Sequence, residues 1–373
     1  MLRPRLPLGV TAAVSAVALA ACSGQADEPA ASSTTSSPTT SSAAPSTPSP
    51  AIEGAPDALA AAVTDRYGAE VAGQAGLGRW RGDEVAVVTG EDEQEGDVTL
   101  AVRPKGKRSW VVVGGWWPSL GDEGTARLGG RQHVLLIGSD ARKGEKVGRA
   151  RADALQLVGT DGKGGAGVMG FARDLWVPIP GHGSGKLNSA MVYRGPRGQV
   201  DAVREVSGIS PTGYVLADFT GFRRAVDEAG GLRVSLPDGL RSHLPGGRLP
   251  QGRQEIDGRS AVALARERKT LAGGDFDRSA NQGLMVGAIA LQARLAGPSG
   301  LPRLVTILDK HTESDLTATE MLRFSAGFYR VDPTKVGRAV AKGGFGTAGG
   351  QSIVILDGAS KKALRDFRDG RLG

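Results

Sequence analysis

The stretch between residues 133 and 180 contains three apolar runs with charge at their ends: HVLLIGSDAR (133–142), RADALQLVGT (151–160) and GVMGFARDLWVPIP (167–180). Runs of Val, Leu and Ile of this length predict buried strands. The charged residues beside them are Asp140, Arg142, Arg151, Asp153, Arg173 and Asp174. Because α/β proteins place ligand sites at the ends of buried strands, the stretch predicts a site for an anionic ligand and a metal ion.

The composition narrows the classes of partner. The 373 residues include 46 Lys and Arg against 39 Asp and Glu, which gives a formal charge of +7. A basic balance suits nucleic acid, an anionic membrane or an acidic substrate. The sequence has no long Lys/Arg run, zinc-ligand spacing or aromatic-rich RNA motif, so we expect no nucleic-acid partner. Cys22 is the only cysteine, which excludes an intramolecular disulfide.

Residues 1–22 predict an export signal, with Arg3 and Arg5 before an apolar segment too short to span a bilayer well. The segment ends in LAAC (19–22), which resembles the lipobox of bacterial lipoproteins. In that family the cysteine receives a diacylglycerol, so Cys22 would be the lipidation site. The alternative is an ordinary secretory signal with an incidental cysteine. We favour the lipoprotein, anchored in the cell membrane on its extracytoplasmic face.

The next 108 residues divide into two parts by composition. Residues 23–50 are Ser, Thr, Pro and Ala and predict a disordered tether. Residues 51–130 predict an accessory α+β module, with a helix over 56–67 and strands over 84–88, 98–102 and 110–113. An N-terminal extension packed on the main domain is the alternative. The pair Trp116–Trp117 is interpreted as core or interdomain packing rather than a platform for a sugar ring.

Residues 131–373 predict one α/β domain. The predicted strands span 134–137, 154–158, 168–171, 232–236 and 352–356. A glycine-rich hairpin is expected over 159–167 and a flexible loop over 181–186. The predicted helices span 216–229, 259–264, 278–295, 314–327 and 360–367.

Two later groups of polar residues complement the charged strand ends. Arg278 and Gln282 are four residues apart and share a face on a helix. Arg266 and Arg268 point the same way if the helix before them ends near residue 264 and the chain then extends. Converging guanidinium groups suit a pyrophosphate, and two carboxylates suit Mg²⁺. The alternative is a set of surface salt bridges, Arg151 with Asp153 and Arg266 with Glu267.

Several motifs in this part of the chain resemble the LytR-CpsA-Psr family in order and spacing: GSDAR (138–142), RADAL (151–155), FARDLWVPIPG (171–181), KLNSA (186–190), AVDEAGGLRVSLP (225–237), IDGRSAVALARERK (256–269), GGDFDRSANQ (273–282) and ESDLTATEMLRF (313–324). The resemblance covers residue 131 to the C-terminus. It implies an α/β fold with a central mixed β-sheet flanked by helices. Ala172 and Asn281 depart from it, at positions where members often have proline and arginine.

The resemblance also implies an activity. Members move a glycopolymer from a polyprenyl-diphosphate carrier to peptidoglycan, so the donor, the acceptor and a phosphotransferase reaction are expected here. Mg²⁺ or Mn²⁺ would be held by Asp140 and Asp153. The pyrophosphate would be bound by Arg142, Arg173, Arg266, Arg268, Arg278 and Gln282, and the catalytic residues would be Asp140, Asp153 and Arg173.

Three questions stay open at the level of sequence. Either Asp140 or Asp153 could take the proton of the attacking hydroxyl, a role that competes with metal ligation. The polyprenyl tail is expected in a channel between sheet and helices, with Leu284, Met285 and Ile289 as a candidate wall. A hydrolase of the same diphosphate would use the same charged residues. A polyprenyl-diphosphate-binding regulator of the envelope would need the arginines alone, and Asp140 and Asp153 together argue against it.

The lipobox prediction can be tested by removing the thiol. Cys22→Ala should abolish membrane retention, because acyl chains are the only stable anchor that the N-terminal sequence predicts. Fractionation of cells that express either chain measures the difference. Normal retention of the Ala variant would contradict the lipoprotein prediction.

Overall fold

The computed structural model describes residues 51–90, 96–124 and 127–372. The predicted export signal, Cys22 and the tether over 23–50 lie outside the described residues. None of the described helices is long and apolar enough to cross a membrane. The helices are α1 Asp57–Tyr67, α2 Ala190–Ser207, α3 Phe219–Glu228, α4 Gly258–Arg266, α5 Asp275–Leu295, α6 Leu301–His311, α7 Ala318–Tyr329 and α8 Gly358–Asp366.

A five-stranded sheet forms first along the chain, in the spatial order β1 to β5. Its first two strands are parallel and the others are antiparallel. Leu59 and Val63 on α1 are fully buried against its apolar side. The predicted helix is present within one residue of its expected bounds, and the three predicted strands end one to three residues later than expected. The strands are β1 Ile52–Glu53, β2 Gly73–Trp80, β3 Asp83–Gly90, β4 Val98–Arg103 and β5 Val111–Trp116.

The later strands include those of a mixed six-stranded sheet in the order β16-β11-β6-β7-β8-β17. They are β6 Gln132–Ser139, β7 Ala152–Thr160, β8 Ala166–Phe171, β9 Trp176–Ile179, β10 Gly183–Lys186, β11 Gly213–Asp218, β12 Leu232–Leu236, β13 Leu240–Arg241, β14 Arg248–Leu249, β15 Gly252–Ile256, β16 Glu313–Ser314, β17 Gly337–Ala341, β18 Gly343–Ala348 and β19 Gln351–Leu356.

The six-stranded sheet is built around an antiparallel meander of β6, β7 and β8. Strands β11 and β17 run parallel to the neighbours that they flank. Alternate residues of the meander face opposite sides, so Leu135 and Leu157 enter one core and Val158 and Val168 another. Helices α2 and α8 cover the first side, and α5 and α7 cover the second. The predicted α/β fold with a central mixed sheet is confirmed.

The glycine-rich turn between β7 and β8 is the predicted hairpin. The Asp161 carboxylate accepts hydrogen bonds from the backbone N–H groups of Lys163 and Gly165, at 2.7 and 2.8 Å. Gly162 and Gly164 have φ values of 71° and 95°, which favour glycine because it has no Cβ. The turn therefore brings Arg173, beyond β8, to the same sheet edge as Asp153 at the start of β7.

Three predicted elements differ from the structure. The expected flexible loop over 181–186 is instead strand β10, paired with β9. The helix expected over 216–229 begins only at residue 219, because residues 213–218 form a strand and Asp218 caps the helix by accepting a bond from Gly221 N. The helix expected over 314–327 begins at residue 318, where Thr317 and Glu320 form a capping box.

Trp116 and Trp117 are packing residues, as the sequence indicates. Trp117 is 1 % exposed and donates its indole N–H to Thr99 Oγ1 at 2.8 Å. Trp116 stacks on Tyr329 of α7 with the ring centroids 6.2 Å apart. Trp116 therefore joins the five-stranded sheet to α7, which covers one side of the six-stranded sheet. The predicted domain boundary between residues 130 and 131 stays a prediction.

Burial of His133 on β6 predicts a loss of stability in acid. Burial lowers its pKa below the ordinary 6.5, although the ring Nε2 lies 3.0 Å from Phe367 O. The unfolded chain then takes up the proton first, so stability is complete above pH 6.5 and falls below it. The free energy of unfolding should fall by up to about 1.4 kcal/mol per pH unit there. Denaturant titrations of the wild type and His133→Gln measure it; equal slopes would contradict this assignment.

Candidate functional site

A cavity of about 670 Å³ lies between the six-stranded sheet and helices α3, α5, α6 and α7. One end is charged and the rest is apolar, with Val286, Ile289, Leu304, Leu308, Phe324 and Phe328 among the residues that line it. The charged end brings together eight residues predicted from sequence: Asp140, Arg142, Asp153, Arg173, Arg266, Arg268, Arg278 and Gln282. The cavity can therefore accept a ligand that is anionic at one end and apolar along its length.

The edge of the sheet positions the two carboxylates. Asp140 follows β6 and makes two hydrogen bonds with Arg151. Its backbone N–H donates to Arg151 O at 3.0 Å, and its Oδ1 accepts from Arg151 N at 2.9 Å. The register of β6 against β7 shifts between Gly138 and Ser139, an irregularity that often lies beside functional sites. Burial, and then repulsion from Asp153, raise the pKa of Asp140 above its ordinary value. A cation bound beside Asp140 would favour the ionised form of this carboxyl.

Arg173 joins the end of β8 to the start of β7. Its Nη1 donates to Asp153 Oδ2 at 2.7 Å, and its Nε lies 3.5 Å from Asp275 Oδ1. Burial by itself would lower the pKa of Arg173, but the charge and hydrogen bond of Asp153 outweigh it and raise that pKa. The guanidinium therefore stays cationic although its side chain is only 17 % exposed.

Asp275 is a site residue that the sequence reasoning missed. It begins α5, and its Oδ1 lies 2.7 Å from Nη2 of Arg278, three residues later on the same helix face. Arg278 is 5 % exposed and also donates to the backbone carbonyl of Asp153 at 3.1 Å. Burial lowers the pKa of Arg278, and the neighbouring Arg173 cation adds to this. The three-residue spacing in DFDR is the signal that could have identified Asp275.

Glu267 fixes the segment that carries Arg266 and Arg268. It is 5 % exposed and accepts bonds from the backbone N–H groups of Arg268, Lys269 and Thr270 and from Ser242 Oγ. Burial opposes its ionised form, but these hydrogen bonds outweigh burial and lower its pKa.

The two arginines of this segment reach the cavity as the sequence predicts, although α4 ends at Arg266 rather than near residue 264. The guanidinium of Arg266 lies 4.4 Å from the centroid of the Phe219 ring. This contact orients the cation without neutralising it.

The side-chain amide of Gln282 makes hydrogen bonds through both its nitrogen and its oxygen. Its Nε2 donates to Ala265 O at 2.9 Å, and its Oε1 accepts from Gln156 Nε2 at 3.3 Å. These bonds join the end of α4 to α5 and to β7 of the six-stranded sheet. Gln282 thus positions the arginine segment in addition to lining the cavity.

The salt bridges that would have explained the charges as surface features are absent from the described part of the chain. Arg151 does not pair with Asp153, and Arg266 does not pair with Glu267, within residues 51–90, 96–124 and 127–372. Over the same residues, no ion pair involves Arg142, Arg266 or Arg268. Three cations therefore face the cavity without a carboxylate partner, which suits a phosphate ligand.

The residues present fit a hard divalent cation. Asp153 Oδ1 is buried and has no hydrogen-bond partner, which is costly for a charged oxygen unless it meets a cation or ligand. Asp140 supplies the second carboxylate at the same end of the cavity. No group of three or more His, Cys, Asp or Glu ligands occurs among the described residues. Mg²⁺ held by one or two carboxylates plus phosphate oxygens matches that ligand count.

Two of the three residues expected in the channel wall line the cavity. Met285 and Ile289 are four apart on α5 and face it together. Leu284 was wrongly included. It is the neighbour of Met285 in the chain, and the side chains of successive helical residues point about 100° apart. Its side chain instead packs in the core formed around Val226, Leu232 and Leu264.

Two features define the class of protein: a charged pocket at the mouth of an apolar cavity, and a mixed sheet that helices cover. Residues 122–366 match the model of the LytR_cpsA_psr family, which is more than half of the chain. The protein belongs to that family. The match begins nine residues before the start of the resemblance that the sequence motifs predict.

Relatives and solved structures agree with this assignment. Regulatory protein MsrR of Staphylococcus aureus (strain Mu50) is 25% identical over 256 residues, 66% of this chain and 77% of the relative. The polyisoprenyl-teichoic acid–peptidoglycan teichoic acid transferase TagT of Bacillus subtilis (strain 168) is 34% identical over 186 residues, 47% of this chain and 56% of TagT.

Two crystal structures show the fold. Bacillus subtilis TagV has a TM-score of 0.56 at 23% identity, over 65% of this chain and 99% of TagV. TagT bound to LI-WTA has a TM-score of 0.53 at 25% identity, over 65% of this chain and 91% of TagT.

The buried hydrogen bonds of Glu267 lead to a prediction about the arginine segment. Glu267→Gln should weaken the binding of inorganic pyrophosphate about tenfold, since the amide replaces charge-assisted bonds and loosens Arg266 and Arg268. It should also lower the melting temperature. Calorimetric titration with pyrophosphate measures the first effect, and Glu255→Gln on exposed β15 is the control. Unchanged binding would show that Glu267 does not position the arginines.

Proposed function

We propose that the protein transfers a glycopolymer from a polyprenyl-diphosphate carrier to peptidoglycan on the outer face of the cell membrane. The observation that carries this proposal is that three arginines without a carboxylate partner among the described residues line the same cavity as a large set of apolar side chains. A lipid diphosphate has both features in one molecule: an anionic head for the arginines and a tail for the cavity.

The relatives support the choice of substrate and acceptor. TagT is named as a transferase of teichoic acid from a polyisoprenyl carrier to peptidoglycan. A probable cell wall biosynthesis protein, LcpB of Corynebacterium glutamicum (strain ATCC 13032), is 29% identical over 160 residues, 40% of this chain and 38% of LcpB. The family and the chemistry of the cavity thus favour the same class of reaction.

In the proposed reaction, a hydroxyl oxygen of the acceptor attacks the phosphorus that carries the glycan. The bond between this phosphorus and the bridging oxygen breaks, and polyprenyl phosphate leaves with the electron pair. The hydroxyl proton passes to one of the two strand-end carboxylates. Arg173 and Arg278, held by Asp153 and Asp275, present fixed positive charge to the phosphate oxygens, where charge is redistributed in the transition state.

Asp140 and Asp153 are the residues that would hold Mg²⁺ or Mn²⁺ in this proposal. The cation would neutralise charge on the phosphate oxygens. Arg142, Arg266 and Arg268 would bind the outer oxygens of the diphosphate, and the ring of Phe219 orients one of these guanidinium groups.

The proposal predicts a large loss of transfer when the buried ion pair is removed. Arg173→Ala and Asp153→Ala should each reduce transfer of labelled glycan to peptidoglycan by about a hundredfold or more, because each removes fixed charge beside the reacting phosphate. Arg204→Ala, which breaks an exposed pair with Asp201 on α2, is the matched control and should retain full activity.

The acceptor distinguishes a transferase from a hydrolase. Release of polyprenyl phosphate should depend on added peptidoglycan fragments, and release at the same rate without them would show that water is the acceptor. Lipid binding without any release, with wild-type protein and Mg²⁺ present, would favour a binding regulator. Unimpaired transfer by both variants would refute the site.

A further inference from the structure

We infer that the five-stranded sheet β1–β5 fixes α6 as the outer wall of the apolar cavity and thereby sets the length of lipid chain that the protein prefers. The inference rests on the proposed function, because the lipid is the ligand assigned there. The sheet, from Ile52 to Trp116, precedes the residues matched by the family model, which begin at 122. Its role is therefore additional to the fold that the family match covers.

Helix α6 is shared between the cavity and the sheet. Leu301, Leu304 and Leu308 recur at spacings of three and four and line the cavity. Pro302, Thr306 and Asp309 form the stripe that meets β2 and the turn after it. Any displacement of α6 relative to the sheet therefore changes the width of the cavity directly.

Hydrogen bonds fasten this second stripe to the sheet. The backbone N–H of Arg79 donates to Thr306 Oγ1 at 2.8 Å, and that of Arg81 donates to Asp309 Oδ1 at 2.7 Å. Arg81 has a φ of 52°, and no other non-glycine residue of the described chain has a positive φ. The Asp309 carboxylate accepts a hydrogen bond from the N–H of this strained turn. The bond therefore fixes the position of the helix relative to the turn.

Two glycines of β2 allow the helix to approach the strand. A Cβ on Gly76 would overlap the carbonyl of Ser299, in the turn before α6. A Cβ on Gly78 would overlap the carbonyl of Pro302 and lie 2.6 Å from Thr306 Oγ1. Gly78 is paired with Val85 of β3, which is fully buried in the core. Because this core holds the strand, we expect a side chain at Gly78 to move the helix toward the cavity rather than the strand away from it.

The same sheet supports the other outer helix, α7. Val87 and Leu100 of the sheet are fully buried in one core with Val305 of α6 and Met321 of α7, both of which also line the cavity. The Arg323 side chain donates from Nε to Val113 O of β5 at 2.6 Å. Interiors packed in this way transmit displacement instead of absorbing it. The sheet therefore fixes the wall of the cavity that α6 and α7 form.

Binding of two lipids with the same head group tests the inference. We would measure affinities for farnesyl diphosphate, which is short, and undecaprenyl diphosphate, which is long, by competition in detergent micelles. Gly78→Ala should weaken binding of the long lipid about tenfold and leave the short one nearly unchanged, because the longer tail buries more surface against the α6 wall. Gly90→Ala is the matched control, since among the described residues its Cβ would meet only Asp97 Cβ at 3.7 Å.

A second pair of variants keeps the test decisive if Gly78→Ala does not fold. Asp309→Ala removes the acceptor from the exposed turn and should also weaken binding of the long lipid selectively. Asp309→Asn keeps an oxygen acceptor and should restore it. A long-to-short affinity ratio equal to the wild type in every folded variant would overturn the inference. If the wild type bound neither lipid, the proposed function itself would fail.

Discussion

The ion pair between Arg173 and Asp153 is the interaction on which the charged site depends. It joins the end of β8 to the start of β7, and Asp275 and Arg278 attach the first turn of α5 to the same network. Buried charges of this kind are costly unless each finds a partner. The strands and the helix are thus locked together by groups that also have to remain ionised for the site to hold an anion.

The balance of charge at this end is not neutral. Among the residues that line the cavity, five arginines (Arg142, Arg173, Arg266, Arg268 and Arg278) face three carboxylates (Asp140, Asp153 and Asp218), so two positive charges are in excess. The paired arginines give the site its shape, and under the proposed function the unpaired ones supply its affinity for an anion. This division explains why two arginines can be buried without making the protein unstable. It also explains why the other three sit at the mouth, where water solvates them until a ligand arrives.

Much of this site could be predicted from the sequence, because charge at the end of an apolar run is a local signal. Asp140, Asp153 and Arg173 belong to runs whose strands were predicted, and Arg278 and Gln282 share a helix face by their spacing. Asp275 and Glu267 were missed for different reasons. Asp275 had a usable signal in its distance from Arg278, whereas Glu267 acts through backbone N–H groups, and no residue pattern reports which backbone groups a carboxylate will meet.

The wall of the cavity shows the limit of sequence patterns more sharply. Strand β2 and helix α6 were not predicted, and together they fix the outer side of the cavity. Sequence reasoning finds buried surfaces by their large apolar side chains, but β2 meets α6 at Gly76 and Gly78, where the decisive feature is the lack of a side chain. A glycine that allows close approach is indistinguishable in sequence from one that allows a turn. The part of the molecule that delimits a large ligand can therefore be the part that its sequence identifies least.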